Sequence, residues 1–195
     1  ATSLGLAGIP IPSKMRGNDL FAKGYRPQDA VFSARDRCDE TIDHIRSVRT
    51  ADYKYIRNYL SERPLLQPCV YKDNKSILKT LRSLHAEGKL NPLQESLLFA
   101  PRRPSEELYD LRADPFEIKN LADDPARREV LEAMRRRLKQ WEESTDDHGR
   151  VPESPAMYDS DMAVYLGTGG ANKQGRDGVL RRNIELNKKW IREGK

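Results

Sequence analysis

The stretch "FSARDRCDE" crowds Arg35, Asp36, Arg37, Asp39 and Glu40 at the end of a short β-prone run, Ala30 to Ser33. Charges of both signs at a strand end mark either a salt-bridged surface or a polar pocket. Composition alone favours the surface. Arginine, however, presents a planar fork of donors that matches sulfate, phosphate or carboxylate, which keeps an anion-binding role open. A second set, Asp146, Asp147 and His148, closes a strongly patterned helix. Such a triplet could ligate a metal, but a site needs further converging ligands, and solvated surface is its ordinary fate.

Other patterns fail on spacing. The acidic stretch "ELYDLRADPFEIKNLADDP" lacks the alternate carboxylates and central glycine of a calcium loop. Its Asp114-Pro115 reads as a turn initiator and Asp124-Pro125 as a helix initiator. "GTGGANKQG" has Asn172 where a phosphate loop needs glycine before Lys173, so it reads as a flexible arm. No zinc-protease, Cys-x-x-Cys or serine-hydrolase motif is present. Cys38 and Cys69 have no metal-ligand spacing with each other or with His44, His85 and His148. They are compatible with one disulfide and equally with two buried thiols.

The elements that must carry these groups follow from periodicity. "RSVRTADYKYIRNYL" predicts a hairpin of two roughly five-residue strands about "TAD". Tyr53, Tyr55 and Arg57 fall on one face of the second strand, and Lys54, Ile56 and Asn58 on the other. "CDETIDHI" before it reads as a charged segment and "ELYDL" as a short strand. "KSILKTLRSLHAEGKL" predicts an amphipathic helix with Ile77, Leu78, Leu81 and Leu84 on one side, stopped by Gly88. "NPLQESLLF" restarts a short helix capped by Asn91, with Pro92 first. The clearest helix follows Asp124, with Val130, Met134, Leu138 and Trp141 at helical spacing and Leu131 beside them. Beyond residue 144, glycine and proline predict an extended arm, then a basic helix bearing Val179, Ile184, Leu186 and Trp190. The fold class is α+β: a small antiparallel sheet packed with helices, plus an extended C-terminal arm.

Charge limits the partners without choosing one. A net charge of +5 suits nucleic acid, a membrane surface or a sulfated glycan. No apolar run is long enough to span a bilayer. The start, "SLGLAGIPIP", looks like the last turns of an apolar helix stopped at Gly8, and so suggests a chain taken from something longer.

The acidic stretch also carries a resemblance. "ELYDLRADPFEIKNLADDP" resembles the C-terminal signature of the sulfatase family, within the alkaline-phosphatase-like superfamily. "SLGLAGIPIPSKMRGNDL", "RSVRTADYKYIRNY" and "LKQWEESTDD" agree with it in order, over about residues 2–147, and look most like the N-sulfoglucosamine sulfohydrolase (sulfamidase) branch and its bacterial relatives. The resemblance implies residues 1–28 as the end of a large α/β domain and connector, 29–147 as the C-terminal subdomain, and 148–195 as arm and terminal helix. It implies hydrolysis of a sulfate ester or sulfamate of a sulfated sugar, and suggests a periplasmic or extracellular setting.

The family's nucleophile is a formylglycine made from Cys or Ser in a C/S-x-P/A-x-R motif, beside a calcium. That motif is absent, since Cys38 is followed by "DETI" and Cys69 by "VYKD". Calcium and formylglycine are therefore expected in an upstream N-terminal part and no cofactor in this chain. No catalytic or metal residue carries over, and Arg35, Asp36 and Arg37 are the residues expected at the substrate rim. The expected partners are a sulfated carbohydrate and the N-terminal catalytic region, with neither nucleic acid nor membrane favoured. The chain alone is expected to be inactive. The readings from other classes are a polyanion-binding module using the basic terminal helix, and a homo-oligomer joined through the arm.

Overall fold

The structure, a computed structural model, describes residues 1–149, 151–167 and 177–195. The glycine-rich stretch with Asn172 and Lys173 lies outside the described residues. Two compact units emerge, 1–31 and 32–195.

The first unit is a short helix, α1 (Thr2–Leu6), followed by irregular chain. Its helix stops as the sequence predicts. Gly8 takes φ +67°, and Gly8 N–H and Ile9 N–H bond back to the Gly5 and Leu4 carbonyls. That pair of bonds satisfies carbonyls which the helix end leaves without partners. The Thr2 hydroxyl then donates to the Asn18 carbonyl at 3.3 Å and accepts from Leu20 N–H at 3.1 Å.

The second unit is built on a four-stranded sheet, in the order β1 (Val31–Cys38), β2 (Thr41–Arg49), β3 (Tyr53–Asn58), β4 (Glu106–Asp110). Strand β2 pairs antiparallel with β3 from Ile45 opposite Asn58 to Arg49 opposite Lys54. Strand β3 pairs antiparallel with β4 from Tyr53 opposite Asp110 to Arg57 opposite Glu106. The expected hairpin is thus present, its turn closed by Thr50 N–H to the Tyr53 carbonyl at 2.8 Å. "CDETIDHI", expected as a charged segment, is instead the β1–β2 turn and the first half of β2. The two residues between the strands, Asp39 and Glu40, leave room only for a hairpin, and Asp39 adopts φ 51° to make it.

The acidic stretch performs the local tasks its prolines suggest. Asp114 Oδ2 accepts from Ile118 N–H and Lys119 N–H, each at 2.7 Å, closing the turn after β4. Asn120 Oδ1 accepts from Leu108 N–H at 2.9 Å and pins the segment to that strand. Asp124 Oδ1 accepts from Ala126 N–H at 2.9 Å, which caps a 3₁₀ turn, Pro125–Arg127, leading into α5 (Arg128–Thr145).

Helix α5 lies on the sheet with Leu131, Met134, Leu138 and Glu142 buried. They meet a core that includes Val48, Tyr55 and Leu108. Trp141 stacks on Phe32 of β1 with ring centroids 5.3 Å apart. A second apolar cluster joins Ile42 of β2 and Val70 of α2 (Val70–Asp73) to Tyr158 and Met162 of α6 (Pro155–Gly167) and Leu180 and Ile184 of α7 (Asp177–Arg192). Helix α6 falls where composition predicts an extended arm. Burying Tyr158 and Met162 in that cluster offsets the ordering of a weakly patterned segment.

Two helices complete the unit. In α3 (Ser76–Ala86) no residue is fully buried, and Ile77 is exposed. The next, α4 (Pro92–Gln94), carries the predicted Asn91 cap, reciprocated by the Gln94 side chain. It runs on as a π-helical turn over Glu95–Phe99. Among the described residues, no helix is long and apolar enough to cross a membrane.

Candidate functional site

The site is organised by β2. Glu40 in the turn before this strand, and Thr41, Asp43, His44 and Arg46 along it, are all buried, although each is polar or charged. Burying such groups is tolerable only when each meets a complementary partner.

Asp43, fully buried, receives a bidentate pair from Arg103, with Nη1 to Oδ2 at 3.1 Å and Nη2 to Oδ1 at 2.7 Å. Arg46 is paired still more fully. Its Nε and Nη2 donate to Asp147 at 2.6 and 3.0 Å, and Nη1 donates to Asp36 at 2.7 Å. His44 Nδ1 lies 2.8 Å from the Gly149 carbonyl.

The end of α5 sets where Asp147 goes. Asp146 takes the left-handed conformation, φ 53°. Its N–H bonds to the Glu143 carbonyl and Asp147 N–H to the Glu142 carbonyl. This helix stop reverses the chain and turns Asp147 onto Arg46. Two residues on, Gly149 packs so tightly that a Cβ there would lie 1.6 Å from Arg46 Nη2.

A polar cavity of about 450 Å³ opens against this reversal, lined by Asp36, Arg37, His44, Asp147, His148, Gly149, Val151 and Glu153. It joins two groups that the sequence presents separately: Asp36 and Arg37 of the strand-end cluster, and Asp147 and His148 of the helix-end triplet. Arg37 also lines a neighbouring cavity with Asp39 and Asp161. Its guanidinium is ion-paired with Asp161 and lies 3.6 Å from Glu153. Its Nη1 is nonetheless buried and, among the described residues, has no hydrogen-bond partner. Arg35 pairs loosely with Asp43 at 3.8 Å. The three expected rim residues therefore diverge: Arg37 and Asp36 face the cavity, whereas Arg35 meets the Asp43 side chain.

Electrostatically the cavity wall is carboxylate-rich, with a guanidinium behind it. Hydrogen bonds from Arg46 hold the Asp147 carboxyl below its usual range. That carboxylate is committed to Arg46, while Asp146 is highly exposed and lies 3.2 Å from His148 Nε2. Asp146, Asp147 and His148 are thus not gathered as a ligand set. Among the described residues the group whose ligand atoms do gather is Cys38, Asp39 and Cys69, within 4.8 Å of one another.

Neither cysteine suits a formylglycine precursor. Cys69 is fully buried next to Val70 of the second apolar cluster, and Cys38 ends β1 beside the Asp39 turn. Part of the basic terminal helix is engaged by its own chain: Lys188 pairs with Asp159 at 3.0 Å, Arg181 with Asp177 at 2.8 Å, and Trp190 lies under the Arg63 guanidinium at 5.2 Å.

The sequence signal for these buried partners was weak. Arg103 sits in a segment that reads as linker, and Arg46 in a strand whose apolar alternation is poor. Only the proximity of charged residues to predicted element ends pointed towards them.

No family model matches the chain. Over 155 residues it is 40% identical to an ulvan-active sulfatase of Formosa agariphila, which covers 78% of this chain and 26% of the relative. A second ulvan-active sulfatase of that organism is 28% identical over 153 residues, 75% of this chain and 28% of the relative. The chain spans about a quarter of the length of the curated relatives it matches. Among solved structures, a sulfatase from Bacteroides thetaiotaomicron VPI-5482 superposes with a TM-score of 0.50 at 23% identity, covering 80% of this chain and 27% of that one. A 2-O GAG sulfatase superposes with the same figures. Both share the fold.

Proposed function

We propose, from the premise that this chain belongs to the sulfatase family as its C-terminal part, that it completes a sulfatase acting on a sulfated sugar. The observation that carries this is the 40% identity over 155 residues to an ulvan-active sulfatase. Both curated relatives are named as sulfatases active on ulvan, so the reading preferred here is a sulfated polysaccharide rather than the N-sulfated substrate of the sulfamidase branch.

In this reading residues 1–28 end the large domain and 29–147 form the C-terminal subdomain. The formylglycine and calcium belong to an upstream region, because no residue set described above suits either. The chain's own contribution is positional. Strand β1 presents Arg37 and Asp36 to the polar cavity, with Arg46 and Asp147 fixing its wall. The Arg37 guanidinium, shared between Asp161 and Glu153 and partly exposed, is the cation at this rim that would exchange a carboxylate for a sulfate oxygen.

The test compares the 195-residue chain with a longer one that includes an upstream C/S-x-P/A-x-R segment. Sulfate release should occur from the longer chain alone, on a chromogenic sulfate ester and on sulfated polysaccharide. Turnover by the 195-residue chain would overturn the division of labour. In the longer enzyme, Arg37→Ala should raise KM with kcat changed less, as expected for a group that binds substrate and transition state alike. An unchanged KM would remove Arg37 from the rim.

A further inference from the structure

We propose that Cys38 and Cys69, the two cysteines of this chain, form a reversible disulfide that ties the end of β1 to the start of α2. The sequence leaves their pairing open. The fold settles which groups meet: across the β2–β3 hairpin and the loop after it, the two sulfurs come within 4.8 Å. A disulfide needs sulfurs about 2 Å apart and Cβ atoms about 4 Å apart. Closing the remaining gap calls for side-chain rotation, and Cys38 is only half buried.

The alternative use of this cluster is metal binding, with Asp39 as third ligand. Asp39 is near because it is the chain neighbour of Cys38, and it is exposed. Among the described residues no fourth His, Cys, Asp or Glu joins the group, whereas closed thiolate sites are usually four-coordinate. The meeting of two distant cysteines is the informative part, and a disulfide uses it fully.

The different burial of the two thiols gives the order of events. Burial pushes the Cys69 thiol up, so it is the poorer first nucleophile. The Cys38 thiolate attacks a small-molecule disulfide such as oxidised glutathione and expels one thiol. Cys69, losing its proton, then attacks the Cys38 sulfur and expels the second thiol. The protein gives up two electrons and two protons, and one external disulfide becomes two thiols. The product staples the strand bearing Arg35, Asp36 and Arg37 to the segment that begins with buried Val70.

The test equilibrates the full 195-residue chain in glutathione buffers from reducing to oxidising, traps thiols with maleimide and records intact mass. After equilibration of the folded protein and trapping in denaturant, which exposes the buried Cys69, the count should pass from two maleimides to none, with a loss of about 2 Da before labelling, and the melting temperature should rise by about 5–10 °C on oxidation. Cys38→Ser and Cys69→Ser should each abolish both effects. If Cys69→Ser does not fold, Cys69→Ala and the wild-type oxidised-versus-reduced comparison carry the same decision. Two maleimides at every buffer ratio would overturn the proposal. So would glutathione retained on Cys38, or thiols unmasked by a chelator without reductant, the signature of a metal site.

Discussion

Removing the Asp147 carboxylate should destabilise the fold more than any other single surface-proximal change. Arg46 is 1% exposed and Asp147 16%, so the pair is largely withdrawn from solvent, and water entering from the cavity replaces the lost partner only in part. Asp147→Ala strips two of the three charged hydrogen bonds from a buried guanidinium and leaves Asp36, itself 58% exposed, as the remaining counter-charge. Breaking a buried pair on one side costs about 3–5 kcal/mol, and the surviving Asp36 contact places this case near 3. For a chain of this size that is a fall in melting temperature of about 6–12 °C. Urea unfolding followed by circular dichroism measures it directly.

Removing both charges, Arg46→Met with Asp147→Leu, should cost less than Asp147→Ala alone, because no ion is left unpaired. The pH profile has a fixed sign. The folded Asp147 carboxyl lies below its usual range, so its stabilisation is complete above about pH 4 and drains away as pH falls towards the lower folded value. Asp147→Asn should therefore flatten the acid limb. If Asp147→Ala loses less than about 1 kcal/mol, or the double variant is worse than the single, buried pairing is not what holds this turn.

Three further outcomes follow from the same geometry. Gly149→Ala should cost about 2 kcal/mol by driving the Arg46 guanidinium off its carboxylates, and in a double-variant cycle its cost should largely vanish on the Asp147→Ala background. Asp146→Gly should stabilise by about 0.5 kcal/mol, since glycine adopts the left-handed stop without strain; a lower urea midpoint would count against that account. Burial raises Tyr55, Tyr109 and Tyr158 above the usual phenol value. The stability they lend is complete below about pH 10 and is lost as pH rises beyond it, so in an ultraviolet titration these three should ionise only with unfolding.

The legible parts of the fold were those whose cause is local. The Asn91 and Asp124 caps, the Gly8 and Gly88 stops, the 46–60 hairpin and the helix carrying Met134 and Leu138 each rest on residues a few positions apart. The first half of β2 was not legible because its buried residues are mostly polar. Hydrophobic alternation cannot announce a strand buried on both faces at Thr41, Asp43, His44 and Arg46, straight after a buried Glu40 in the turn. Asn183, Arg103 and Asp147, which partner Glu40, Asp43 and Arg46, lie far along the sequence. Helix α6 escaped for a related reason: its apolar residues form no clean stripe, and Tyr158 earns its place through one hydroxyl bond to the Glu40 carbonyl, at 2.8 Å. Of the candidate site, the residue types at element ends were visible, but their convergence required the chain reversal at Asp146.

The polar lining of β2 also has a meaning in time. Glu40 completes its bonds only with Asn183, Ile42 N–H with Asn187, and Arg46 with Asp147, separations of 143, 145 and 101 positions, although Val70 N–H and Asp36 reach Glu40 and Arg46 sooner. A ribosome adding about 5–20 residues per second delivers those partners seconds after the strand itself. Until then the strand's charges are only partly paired, and the sheet has less reason to shed water from that face. The hairpin can form early, but its polar side closes last, when the final helix arrives. Such long-range closure slows folding, and it makes the late-synthesised helices the clasp of the subdomain rather than an appendage to it.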